Sequence, residues 1–169
     1  MDGTALNGKI ALITGGTSGI GEAIARGMSA AGAKVAFCGR RREEGENIAK
    51  SLSGDGAETF FEQCDVSDGA QLEKFVANTA KRFGKLDIAV NCAGISCPDT
   101  KLADIEEADF DQMISTNLRG VWLAMKHEIR QFLAQKSQGV IVNMGSILGH
   151  AVMGAPAQYS SGHYVAAKH

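Results

Sequence analysis

Apolar residues recur along this chain at two alternating spacings. KIALIT (residues 9–14), KVAFC (34–38), TFFEQC (59–64), LDIAVN (86–91) and GVIVNM (139–144) are short, largely continuous runs with the length and composition of strands. Between them the apolar positions spread to three- and four-residue steps, which predicts helices near 20–31, 41–52, 68–82 and 106–135. The last of these carries Ile114, Leu118, Val121, Trp122, Met125, Ile129, Phe132 and Leu133 on one face, read here as a packing face.

Strands without an alternating polar face are covered on both sides, and strands separated by helix-length connections pair in parallel. The pattern therefore predicts an α/β chain, a doubly wound parallel sheet forming a single domain over residues 1–169. Such sheets hold ligands in the crevice beyond the carboxyl ends of their strands, so candidate chemistry belongs there.

Composition narrows the partners. The chain has 169 residues, enough for one domain with a real core, with 21% charged residues and a net charge of -2. It lacks the basic excess of a nucleic-acid binder. No stretch reaches membrane-spanning length, and MDGTALNGK has no cationic run leading into an apolar one, so neither a membrane partner nor a secretory signal is expected. Cys38, Cys64, Cys92 and Cys97 form no CxxC pair and no metal-ligand spacing with histidine. Reduced thiols, no metal and a cytoplasmic location are the expectation.

The 21 glycines are neither periodic nor part of a low-complexity run, which leaves turns and close backbone contacts. TGGTSGIG, Thr14 to Gly21, joins the first strand to the first helix. Gly15, Gly19 and Gly21 let the chain turn tightly and pack closely. Thr17, Ser18 and Ile20 lie between them, where the helix N-terminus offers unpaired N–H groups to a diphosphate. No Gly-Lys-Ser/Thr ending follows, which excludes a P-loop and leaves a Rossmann-type dinucleotide turn, or a glycine turn without a ligand. About 20 residues on, an acidic residue would select NAD and a basic one NADP. The sequence there is CGRRREEG. Arg40, Arg41 and Arg42 sit where a helix N-terminus disfavours cations, unless a phosphate neutralises them or Glu43, Glu44 and Glu46 pair with them. NADP is the leading expectation and NAD the alternative.

The GxxxGxG spacing resembles that of the short-chain dehydrogenase/reductase family, and the resemblance extends along the chain. Asp65-Val66 matches the family's adenine-contacting pair, and NCAG (Asn91, Cys92, Ala93, Gly94) its NNAG motif with Cys92 in place of the second Asn. Asn117, Ser146, Tyr164 and Lys168 match its catalytic Asn, Ser, Tyr and Lys. The resemblance implies hydride transfer between a nicotinamide cofactor and a small alcohol or carbonyl compound, such as an oxoacyl thioester, a sugar or a simple alcohol. In that reading Tyr164 moves the proton, and Lys168, four residues on along one helix face, favours the phenolate and holds the nicotinamide ribose. Ser146 hydrogen-bonds the substrate oxygen, and Asn117 anchors the water through which protons return to solvent. Each residue also has a plain structural account: a turn hydroxyl, a helix-face amide bonded to a main-chain carbonyl, two surface side chains. His150 and His163 read as solvent or loop residues, and Cys92 and Cys97 as packed thiols.

Two departures from the family pattern stand out. Gly145 replaces a common Ser, and Tyr159 lies nearer the usual distance from Ser146 than Tyr164 does. Its i+4 partner is His163, not Lys, so the acid–base role goes to Tyr164, with a short insertion in GAPAQYSSGH. Relatives continue past the Tyr-bearing helix with further strands and a substrate loop. The sheet is therefore expected to be incomplete at its C-terminal edge, with GVIVNM exposing an apolar edge. Homo-oligomers, usual for the family, are in doubt for such a chain, and a cofactor-binding fragment without turnover is the alternative function.

Overall fold

The computed structural model describes residues 5–54, 56–96, 100–150 and 162–169. Five strands, β1 (Ile10–Thr14), β2 (Lys34–Gly39), β3 (Thr59–Gln63), β4 (Ile88–Asn91) and β5 (Val140–Asn143), form one sheet in the order β3-β2-β1-β4-β5. Every neighbouring pair is parallel. Between the strands run α1 (Gly19–Ala30), α2 (Arg42–Gly54) and α3 (Gly69–Phe83), then α4 (Glu107–Ile114) and α5 (Gly120–Ala134), with α6 (Gly162–Lys168) last.

Strand periodicity sorts the core into two layers. Leu12, Ala36 and Cys38 pack against Leu72, Phe75 and Val76 of α3 and Leu123 and Ala124 of α5. Ala11, Ile13, Val35, Phe37 and Val90 face the other way, onto Ala25 of α1 and Ile48 and Leu52 of α2. Helices thus cover both faces, as a sheet of apolar parallel strands requires. Phe37 and Phe75 are wholly buried, each contributing about 1.5–3 kcal/mol by transfer from water.

The chain winds outward from β1 to β3, then returns to the other side of β1 for β4 and β5. The connections that leave β1 and β4 diverge at the carboxyl ends of those strands, and a crevice opens there. In register across that end stand Thr14, Asn91 and Asn143. On the outer side, Val140 and Val142 of β5 are exposed, the apolar edge expected from the sequence.

The segment read as one helix over 106–135 is broken. A π turn, Ser115–Arg119, separates α4 from α5, with the Gly120 N–H donating to the Ser115 carbonyl. One extra residue turns the following face by roughly 100°, so positions that would share a face in an unbroken helix do not. The predicted packing face is accordingly corrected: Leu118, Trp122, Ile129 and Leu133 are exposed. The inward stripe instead carries Met113, Thr116, Asn117, Gly120, Leu123, Ala124, His127 and Glu128. Small residues let α5 lie close to its neighbours: a Cβ on Gly120 would stand 3.1 Å from a Val66 methyl.

Candidate functional site

The turn after β1 owes its shape to contacts that only glycine permits. Gly15 has φ +73°, and a Cβ there would lie 2.7 Å from the Ala93 Cα. The glycine turn and the segment after β4 are therefore in backbone contact. A hydrogen bond reinforces this, the Ala93 N–H donating to the Thr14 hydroxyl at 3.2 Å. α1 begins directly afterwards, and its N-cap residue Ser18 makes no side-chain capping bond. The first-turn amides of α1 are left to an outside acceptor.

A cavity of about 640 Å³ opens at this point. One end is formed by Gly15, Thr17, Ser18, Gly19, Ile20 and Gly21 with Arg40 and Arg41, and the flank by Asp65 and Val66. Ala93, Gly94 and Asn117 line its middle, and Tyr164 and Lys168 close it. Asn91 and Ser146 are not lining residues. The sequence reading missed Cys64, Ile95, Ser96, Thr116, Met144 and Gly145, which also line it. All but Thr116 follow the carboxyl ends of β3, β4 and β5, which is the signal that could have found them.

The arginine cluster is largely unneutralised by its own chain. Arg41 donates to the Thr17 carbonyl at 3.2 Å, and Arg42 pairs with Glu46 at 3.6 Å and bonds Gln63. Arg40 makes no ion pair among the described residues. Asp65 closes a turn by accepting from the Ser67 N–H and hydroxyl.

At the other end, α6 places Lys168 beside Tyr164, the ammonium 5.9 Å from the ring centroid. The ammonium donates to the Met144 carbonyl at 2.9 Å. Ser146 accepts from the Leu148 N–H at 3.2 Å, which leaves its own O–H free to donate. The Asn117 amide is committed to Ile95, accepting from its N–H and donating to its carbonyl, each at 2.8 Å, and donating also to Met113 Sδ. Both of its N–H groups are thereby used. The side-chain bond to a main-chain carbonyl weighed from the sequence is present.

Asn91 lies beneath the cavity, donating to Glu128 and to Asn143. Glu128, wholly buried on α5, has its carboxyl pushed up to about 7 by burial, against the opposing pull of the Asn91 amide. Burial likewise raises the Cys92 thiol, against the pull of Lys168. Cys38, Cys64 and Cys92 are free thiols. His163 corrects its reading as a solvent residue: it is 3% exposed, with no partner for Nδ1 among the described residues. Cys97, Tyr159 and most of GAPAQYSSGH lie outside the described residues. Among the described residues no cluster could hold a metal ion, and no helix is long and apolar enough to cross a membrane.

These residues fit a dinucleotide: an uncapped helix start beside a strand end, two arginines at the second strand's end, and one cavity that these share with Tyr164 and Lys168. Comparison with known proteins points the same way. The family described as short chain dehydrogenase matches residues 9–169. The chain is 37% identical over 169 residues to short-chain dehydrogenase reductase 5 of Arabidopsis thaliana, spanning all of this chain and 62% of that protein. It is 40% identical over 157 residues to secoisolariciresinol dehydrogenase of Forsythia intermedia, covering 89% of this chain and 56% of that one. A crystal structure of a short chain dehydrogenase from Mycobacterium smegmatis superposes with a TM-score of 0.90 at 29% identity, covering 98% of this chain and 67% of that chain.

Proposed function

The chain belongs to the short-chain dehydrogenase family, and on that premise we propose that it binds NADP and serves hydride transfer between the cofactor and a small alcohol or carbonyl compound. The observation that carries this reading is that the glycine turn, Arg40 and Arg41, and the Tyr164–Lys168 pair open into one cavity. The chain spans 62% of the length of the Arabidopsis relative.

The amides at the start of α1, reached over Gly15, Gly19 and Gly21, hold the diphosphate. Arg40 and Arg41 favour a 2'-phosphate through charge-assisted bonds, and no carboxylate occupies that position to prefer the bare hydroxyl. Asp65 and Val66 frame the adenine, and Ala93 and Gly94, carried on Asn91, lie against the nicotinamide end. When bound, the cofactor supplies or accepts the hydride. The Tyr164 hydroxyl gives a proton to the carbonyl oxygen in reduction and takes it from the alcohol in oxidation. Lys168, fixed by Met144, places a cation beside that phenol and the ribose. Ser146 turns its free O–H toward the substrate oxygen, and Asn117 fixes the loop after β4 against the proton path. We place the protein in the cytoplasm. The exposed stripe of Leu118, Trp122, Ile129 and Leu133 supports self-association through the π turn and α5.

Titration with NADPH and NADH, followed by fluorescence, tests the reading. Saturable NADPH binding with carbonyl-dependent oxidation supports the enzyme, and binding without oxidation supports a cofactor-binding fragment. A folded chain that binds neither nucleotide overturns both.

A further inference from the structure

The buried Glu128 takes no part in the chemistry just described, yet it begins a series of hydrogen-bonded residues, Asn91 and then Met144, that ends at Lys168. Asn91 Nδ2 donates to Glu128 Oε2 at 3.1 Å and to Asn143 Oδ1 at 2.9 Å. Asn91 and Asn143 are register partners at the carboxyl ends of β4 and β5. The next residue, Met144, donates its N–H to the Asn91 carbonyl at 2.9 Å and accepts the Lys168 ammonium at 2.9 Å. Met144, whose carbonyl accepts from Lys168, is therefore itself held by Asn91 through its N–H, and the Asn91 side chain is held by Glu128.

Two oxygens of this cluster, Glu128 Oε1 and Asn91 Oδ1, are buried without a partner among the described residues. A carboxylate there keeps two acceptors unpaired, whereas a carboxylic acid brings a proton to the cluster. We propose that Glu128 is a positioning residue for Lys168, holding the joined ends of β4 and β5 through Asn91 and resetting them as its carboxyl gains or loses a proton. This rests on the reading of Lys168 as part of the reacting site.

The charged groups of the surrounding elements are otherwise engaged. On α3, Glu73 acts on His127, as do Lys126 and Arg130 of α5 itself. Before β4, Asp87 pairs with Lys85 at 2.9 Å. On α6, Lys168 acts on Cys92. What acts on Glu128 is burial, opposed by the Asn91 amide.

The test begins without cofactor, on the whole chain labelled with 13C at glutamate Cδ and lysine Cε. The expected result is that Glu128 titrates near pH 7 and that the Lys168 Cε resonance steps with the same midpoint. Glu128→Gln, which keeps an acceptor for Asn91 and carries no charge, removes the Lys168 step. If the step is missing in the unaltered chain or survives in Glu128→Gln, the proposal is overturned. The second readout is the NADPH dissociation constant. Glu128→Gln should hold it within about twofold, while Glu128→Leu, which strands a buried N–H, should raise it about tenfold. Where the parent chain binds NADPH, equal affinities in all three overturn the positioning role. Should the Leu variant fail to fold, the Gln variant and the lysine resonance still decide. An intact Lys168 step abolished by Glu128→Gln, in a chain that binds neither NADPH nor NADH, upholds this coupling and overturns the cofactor reading.

Discussion

Asn117 and Ile95 bind each other as two paired strands do: the side-chain amide donates to the Ile95 carbonyl and accepts from its N–H, both at 2.8 Å. Asn117 is 2% exposed, in the π turn between α4 and α5, while Ile95 follows the NCAG motif. Asn117→Ala leaves both main-chain groups unpaired and should cost about 2–4 kcal/mol in urea denaturation. Asn117→Asp keeps the acceptor but sets a buried carboxylate against the Ile95 carbonyl, and should also destabilise the chain. If the Ala variant is as stable as the parent, the pairing does not hold the loop.

That pair also marks where sequence reading runs out. The strands, their parallel pairing and the turn from Thr14 to Gly21 were legible because each depends on neighbours within a few residues. The break at Ser115–Arg119 carries Asn117 to Ile95, a residue distant in sequence, and no local spacing announces it. The same holds for Glu128. Its partner Asn91 belongs to another strand, so the sequence offers only an acidic residue on a helix, indistinguishable from a solvated one. The apolar stripe misled for a related reason: α5 buries its small residues against α3 and leaves Trp122 and Leu133 outside. His163 was misread because its burial comes from tertiary packing and not from its neighbours in the chain.

Arg40 and Arg41 should decide between the two nicotinamide cofactors. Replacing both with Ala is expected to raise the NADPH dissociation constant about 10- to 100-fold and to leave that for NADH within about twofold. The difference should shrink with added salt, because both side chains are exposed. Calorimetric titrations at two ionic strengths check this. A parallel loss for both nucleotides would return the cluster to a structural turn.

Gly21 tests the phosphate turn. A Cβ at that position meets the Gly15 carbonyl oxygen, part of the main chain that cannot swing aside. Gly21→Ala should therefore lift α1 from the turn, lowering the melting temperature and raising the NADPH dissociation constant by more than about tenfold. Unchanged binding would remove the turn from the cofactor site.

Tyr164→Phe separates chemistry from binding. The ring stays to line the cavity beside Lys168 while the only exchangeable proton of the side chain is lost. Where the parent chain oxidises NADPH in a carbonyl-dependent reaction, the variant should lose that activity by about 1,000-fold or more and bind NADPH as before. Retained turnover would transfer the proton role to another residue, with Tyr159 the first to try.

Glu128 should make the fold less stable as pH rises. Its carboxyl sits at about 7 in the folded chain, above the ordinary carboxylate range that it regains on unfolding. Between those values the folded chain keeps a proton that the unfolded chain has released, so protons favour the fold. The stabilisation is complete below about pH 4 and is lost as pH climbs to about 7, beyond which this group adds no further slope. Roughly 2.5 pH units at about 1.4 kcal/mol each put the full loss between about 3 and 4 kcal/mol. Glu128→Gln removes the titrating group while keeping the acceptor for Asn91. Its unfolding free energy should therefore exceed that of the parent at pH 8 by up to about 3 to 4 kcal/mol, with the two converging toward about pH 4. Urea denaturation at a series of pH values reads this directly, and parallel curves for the two chains would mean that Glu128 ionises in the fold as it does in water.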